Sequence, residues 1–339
     1  MSPADEPQHG TQLGSRPSDD LVLPFQAETS SVMGRLVRLG SSVHDVLTRH
    51  DYPEPVSQAL GEAIALTAML GTTLKEQSKL ILQTQTDGPL RLMVVNFESP
   101  GQFRGYARFD RERVARIDPR DQGQLLGRGH LGLTIDLGPR TEPYQGIVAL
   151  EGETLSEAAL TYFQRSAQLP TFIRLAVARH FVAPAARGTN GGSAGPWRWR
   201  VGGLMLQHLS PDRGDEFKGA HLAPDEEPLS HDDAWERTRI LAATVEDHEL
   251  LDPTLEPERL LLRLFHEEGV RVYPTHAMAM RCRCSRDRVE RMLRMFSAAD
   301  FAGMAEPDGS ISVTCEFCTQ VQQFSSGELA VLRAGGPSP

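Results

Sequence analysis

The chain has 339 residues, 40% of them apolar, 24% charged and 6% aromatic, with a formal charge of −10. That length exceeds an average domain of about 100–150 residues, so two or three units are expected, at least one with a sizeable core. The acidic balance, with arginines scattered among carboxylates, argues against nucleic acid as a partner. No stretch approaches the roughly 20 consecutive apolar residues of a membrane span, so no membrane partner and an intracellular, cytoplasmic location are expected.

Residues 1–20 are polar and rich in Pro, Gly and Ser, with neither the basic start nor the apolar run of a signal peptide, and read as a disordered tail. Apolar patterning then predicts strands at 32–39, 80–86, 90–97, 103–109, 131–137 and 146–150, with Asp87-Gly88 as a hairpin turn. Ser42 is expected to cap a short helix bearing Val43, Val46 and Leu47 on one face. Longer helices are expected at 55–74 and at 155–168, the latter stopping before Pro170. This mixture predicts an α+β fold, with a large core domain over 21–228. Within it, 184–196 reads as a Gly-rich surface loop and 197–209 as a strand broken by Gly202-Gly203.

An acidic, Pro-containing connector at 211–233 marks the natural domain boundary, and a helical linker is assigned to 229–275. Its first helix, 234–245, has Asp232 or Asp233 as N-cap; its second, 257–268, opens on Pro257. Leu260, Leu261, Leu262, Leu264 and Phe265 are too apolar for a free linker, so this segment docks on the large domain. The sharper expectation is that it docks reversibly.

All four cysteines lie in the last unit, 276–339, as Cys282-Arg283-Cys284 and Cys315-Glu316-Phe317-Cys318. In a reducing compartment such clustering points to metal or redox chemistry. Two close pairs of thiolates brought together by a fold give the tetrahedral shell that zinc needs. The intervening sequence supports such a fold. Ser285 can cap a helix whose Val289, Met292, Leu293 and Phe296 repeat at three and four residues, and a turn at Pro307-Asp308-Gly309 leads into an alternating strand through Ile311 and Val313.

A unit of this size has a marginal core without a staple, and zinc would be the staple. A closed four-cysteine shell leaves no position for substrate, so metal hydrolysis is not expected. Arg281, Arg283, Arg286 and Arg288 crowd the motif and either hold its sulfurs as thiolates or form an ordinary solvated helix start. Peroxide converts a thiolate into a sulfenic acid that condenses with a nearby thiol, and each close pair supplies a resolving partner. No catalytic grouping emerges elsewhere. His44, His50, His130, His180, His208 and His266 show no spacing that singles out a site, and Gly127-Arg128-Gly129 lacks the context of a phosphate loop. The chain is not expected to be an enzyme.

The cysteine pattern resembles that of the heat-shock protein 33 family, the redox-regulated 33 kDa chaperonins. So do Gly34-Arg35-Leu36-Val37-Arg38-Leu39, the turn at Asp87-Gly88-Pro89, Gly127-Arg128-Gly129-His130-Leu131, Tyr162-Phe163-Gln164-Arg165-Ser166-Ala167-Gln168 and Val201-Gly202-Gly203-Leu204-Met205-Leu206-Gln207. The resemblance covers about residues 21–334. It implies an ATP-independent holdase that is inactive when reduced and zinc-bound. It also implies that oxidation pairs Cys282 with Cys284 and Cys315 with Cys318, releases zinc, unfolds the linker and yields a homodimer that binds unfolding client proteins. Two rivals are a thiol-disulfide oxidoreductase using Cys315 and Cys318, which lacks the surrounding thioredoxin-type βαβ pattern, and a protein adaptor with a static zinc site.

Overall fold

Alternating burial builds two sheets in the computed structural model, which describes residues 19–118, 121–138, 141–182, 197–208 and 231–334. The chain opens with β1 (Leu21–Ala27) and β2 (Val32–Leu39), then helices α1 (Ser41–Leu47) and α2 (Glu54–Gly71). A meander follows through β3 (Lys79–Thr86), β4 (Leu90–Glu98) and β5 (Gln102–Phe109). Short helices α3 (Arg111–Val114) and α4 (Gln122–Leu126) lead to β6 (Arg128–Asp136) and β7 (Tyr144–Glu151), and α5 (Leu155–Tyr162) to β8 (Thr171–Phe181) and β9 (Trp197–His208).

Three helices come next, α6 (His231–Ala243), α7 (Asp247–Leu251) and α8 (Pro257–Phe265), before the short strands β10 (Val270–Val272), β11 (His276–Ala277) and β12 (Ala279–Met280). The chain ends with α9 (Arg286–Leu293), α10 (Ala298–Met304), β13 (Ile311–Thr314), β14 (Val321–Phe324) and α11 (Ser326–Ala334).

The first sheet runs β10-β1-β2-β9-β8 with β11 also on β1, and the second runs β12-β5-β4-β3-β6-β7. This is the α+β architecture expected. Helix α2 packs against both sheets. Its Leu60 and Ile64 face Gly105 of β5, while a Cβ at Gly61 would meet Val177 of β8 and Val201 of β9. Val22, Val37, Val201 and Met205 join this inner core. On the opposite face of the same sheet, Leu23, Phe25, Leu36, Leu204 and Leu206 form a second core with the linker helices.

Leu260, Leu261, Leu264 and Phe265 of α8 are buried in that second core, and the Phe265 ring stacks on Phe25 with centroids 5.6 Å apart. The linker is therefore docked, as its leucines required; Leu262 is the exception and faces solvent. Polar clasps reinforce the contact. Arg38 of β2 is fully buried and donates to the carbonyls of Leu255 and Glu249, the latter at 2.8 Å. Arg200 of β9 donates to Leu251 O at 2.6 Å. The carbonyls of Glu249 and Leu251 are orphan acceptors in the last turn of α7, where the helix dipole favours cations, and that of Leu255 lies in the loop beyond it. Burial, then the neighbouring Arg200, depresses the Arg38 pKa, against raising effects of Asp19, Asp252 and Glu258. Glu268, buried just after α8, closes a bidentate ion pair with Arg237 of α6 at 2.5 and 3.0 Å.

Several expectations need correction. Ser42 is inside α1 and not its cap: the Asp20 carboxylate accepts from the amides of Gly40 at 2.9 Å and Ser42 at 3.2 Å, and from the Ser42 hydroxyl. Asp20 and Asp19, assigned by composition to the tail, thus hold the fold, Asp19 by pairing with Arg200. Gly202-Gly203 does not break its strand. Both lie within continuous β9, where a Cβ at Gly202 would stand 2.5 Å from Leu250 O, so the glycine admits α7. The helix expected at 155–168 stays α-helical only to Tyr162, then widens into a π turn over Phe163–Ala167 and ends on Gln168 at φ 49°. Asp232 and Asp233 lie within the first turn of α6, which already begins at His231. The loop 184–196 and most of the connector 211–233 lie outside the described residues.

Candidate metal centre

The C-terminal unit is built around a small core of Leu293, Phe301, Ile311, Phe324, Leu329 and Leu332. Ser285 caps α9 as expected, its hydroxyl accepting from the Arg288 amide at 3.3 Å. The apolar face is narrower than the spacing predicted: α9 ends at Leu293, and Met292 and Phe296 are exposed at 37% and 41%. The predicted turn forms, with Gly309 at φ 79° and the Asp308 carboxylate accepting from Ser310, and delivers β13. Strands β13 and β14 pair antiparallel, and the loop between them carries Cys315 and Cys318. That loop is closed by Cys315 N to Gln320 O at 3.0 Å and Thr319 N to Cys315 O at 2.8 Å, with Thr319 at φ 58°.

The first cysteine pair arrives from the opposite side. Strand β12 runs parallel to β5, the Arg281 amide continues the ladder by donating to Phe103 O at 2.9 Å, and Cys282 and Cys284 follow directly. The four half-buried sulfurs converge, all within 4.8 Å of one another. Two of the sulfur contacts cross between motifs, Cys284 to Cys318 at 3.0 Å and Cys282 to Cys315 at 3.6 Å. Four sulfurs bound tetrahedrally at about 2.3 Å from one ion stand about 3.8 Å apart, so the cluster has the dimensions to hold a metal ion.

Their acidities diverge. Burial raises the Cys282 thiol, but hydrogen bonds from the Cys284 amide and from the thiols of Cys284, Cys318 and Cys315 outweigh it and bring it down to about 7. Burial, then the neighbouring Cys318 and Cys282 thiols, pushes Cys284 up, and burial also raises Cys315.

The arginines expected to attend the sulfurs are partly engaged elsewhere. Arg283 pairs with Glu98 of β4, and Arg286 pairs with Glu328 at 2.5 Å while lying 4.3 Å from the centre of the Phe324 ring. These contacts hold the unit together and fasten it to the second sheet. Sequence reasoning missed Glu98 and the core residues Arg49, His50, Arg104 and Tyr106 that receive the Cys315–Cys318 loop. No spacing in the sequence links those positions to the cysteines.

The family described as Hsp33 protein matches residues 20–325 of this chain. A 33 kDa chaperonin of Caulobacter vibrioides is 43% identical over 310 residues, covering 90% of this chain and 95% of that relative. One from Pseudomonas aeruginosa is 36% identical over 317 residues, covering 93% and 94%. The crystal structure of the 33 kDa chaperonin from Thermotoga maritima superposes with a TM-score of 0.72 at 20% identity, covering 93% of this chain and 98% of that one, a likeness of fold. Fold, cysteine cluster and relatives together define a chaperone with a C-terminal four-cysteine unit. The chain belongs to the Hsp33 protein family. Among the described residues no helix is long and apolar enough to cross a membrane.

Proposed function

We propose that this chain is a cytoplasmic, ATP-independent holdase whose activity is switched by oxidation of Cys282, Cys284, Cys315 and Cys318, which hold one zinc ion in the reduced state. The observation that carries the reading is the convergence of four sulfurs within 4.8 Å beneath a unit with a very small core. Sulfur is a donor that suits zinc, and the four thiolates complete its tetrahedral shell. Bound there, zinc would supply about 10–16 kcal/mol of apparent folding free energy, comparable with the about 5–15 kcal/mol stability of a whole domain.

Oxidation acts on the sulfurs themselves. A thiolate attacks peroxide, taking one oxygen as sulfenic acid and releasing water after protonation; the partner thiol then displaces a second water and closes the disulfide. Each pair loses two electrons and each peroxide becomes two waters. The resulting disulfides, Cys282–Cys284 and Cys315–Cys318, no longer offer thiolate ligands, and the unit loses its staple. With β11 on β1 and β12 on β5, its unfolding would strip a short strand from each sheet and, next to the linker strand β10, loosen α6–α8. Undocking of α8 would expose Leu23, Phe25, Leu36, Leu204 and Leu206, an apolar face suited to unfolding clients, in a dimer.

Treatment with peroxide followed by mapping of disulfide-linked peptides should return the two pairings within motifs. A dominant Cys284–Cys318 bridge, between sulfurs 3.0 Å apart in the reduced chain, would contradict them.

A further inference from the structure

The loop between Cys315 and Cys318 does more than carry ligands. Its Phe317 ring lies beneath the guanidinium of Arg104, whose carbon is 4.1 Å from the ring centre, and beside the Tyr106 ring at 6.2 Å. The Glu316 carboxylate faces Tyr106 and, after burial, helps to raise the pKa of its phenol. His50 lies beside the backbone of Glu316 and Phe317, and its ring is 5.3 Å from that of Tyr106. Arg49 donates to the Cys318 carbonyl at 3.2 Å. Four core residues from the end of α1 and from β5 thus form a ledge that holds an acid, an aromatic ring and a stretch of backbone. None of these contacts involves a sulfur atom, so any chain presenting an acidic residue next to an aromatic one could reproduce them.

We propose that this ledge is a binding subsite for acidic-aromatic segments of unfolded proteins, and that Glu316-Phe317 occupies it as a built-in substitute. The inference rests on the holdase reading above. The occupant is flanked by two of the four clustered cysteines, whereas the ledge belongs to the large α+β body. Rearrangement of Cys315 and Cys318 on oxidation withdraws the occupant and leaves the ledge standing. Arg104 supplies the cation–π partner that the aromatic residue requires, Tyr106 faces the acid, and Arg49 holds the adjoining backbone.

The test uses the reduced, zinc-loaded full chain and the fluorescent peptide Gly-Ser-Glu-Phe-Gly, followed by anisotropy. Phe317→Ala, with all four cysteines intact, should retain zinc and bind the peptide about tenfold more tightly than the unsubstituted chain, the order expected for vacating a partly desolvated cation–π site. Adding Arg104→Gln should abolish that gain, and a peptide with Lys-Ala in place of Glu-Phe should not bind. A zinc-replete Phe317→Ala chain with no gain, or a gain that survives Arg104→Gln, overturns the proposal. If Phe317→Ala fails to fold, the oxidised chain with and without Arg104→Gln decides: equal peptide binding rejects the subsite. Suppression of client aggregation by the oxidised, unsubstituted chain is scored separately, so failure of the holdase reading is distinguishable from failure of the ledge.

Discussion

Cys282→Ser should lose most of its zinc and release the C-terminal unit from the large domain. The six buried side chains of that unit each contribute about 1.5–3 kcal/mol in the folded state, so zinc at about 10–16 kcal/mol rivals the whole core. A serine hydroxyl is a poor substitute for a thiolate in a tetrahedral sulfur shell. The expected result is a sharp fall in bound zinc, protease cleavage within 276–334 and aggregation suppression that no longer depends on oxidant. Cleavage follows because the Arg283–Glu98 pair and the Phe317 contacts on Arg104 and Tyr106 depend on the same unit. Full zinc content with normal oxidant dependence would refute Cys282 as a ligand.

Leu261→Asp should undock the linker while leaving the zinc unit loaded. Leu261 is fully buried among the apolar side chains of β1, β2 and β9, and placing a carboxylate there costs several kcal/mol unless the site opens to water. The clasps from Arg38 and Arg200 to α7 would then hold the linker without its hydrophobic contact. The reduced variant should bind a hydrophobic dye strongly, show faster hydrogen exchange across α6–α8 and protect unfolding clients without peroxide. Unchanged dye binding and exchange would show that Leu261 contributes little to docking. Leu262→Asp, at a position 59% exposed, is the matched control and should behave like the parent chain.

What the sequence disclosed followed from how strongly each feature constrains residue type. Metal ligation requires particular atoms at particular spacings, so Cys282, Cys284, Cys315 and Cys318 stood out before any fold was assigned. Strands with one face toward the inner core, such as β3 with its alternating burial, were legible from period-two patterning. Strand β1 was not, because it is buried on both faces and carries Pro24 in its middle, so Leu21-Val22-Leu23-Pro24-Phe25 shows no alternation. Strand β8 was missed for the opposite reason, being an edge strand with only Ile173 and Ala176 buried. Helices α10 and α11 had left signals, the Ser297-Asp300 capping box and the Ser325-Glu328 pair, but each is short and weakly apolar. The ledge of Arg49, His50, Arg104 and Tyr106 was invisible because it exists only once α1, β5 and the last unit meet. His50, read as a surface or packing histidine, packs against Tyr52 and Tyr106 and lies beside the loop that carries two of the cysteines.

The most direct test of the switch is a single time course of peroxide treatment, with zinc release followed by a chromogenic chelator and aggregation of an unfolding client assayed in the same samples. Zinc release that coincides with new protection of the client, both reversed by reductant and added zinc, is the predicted result. Zinc that stays bound while the client aggregates as before would contradict the account and leave the four cysteines a static structural site.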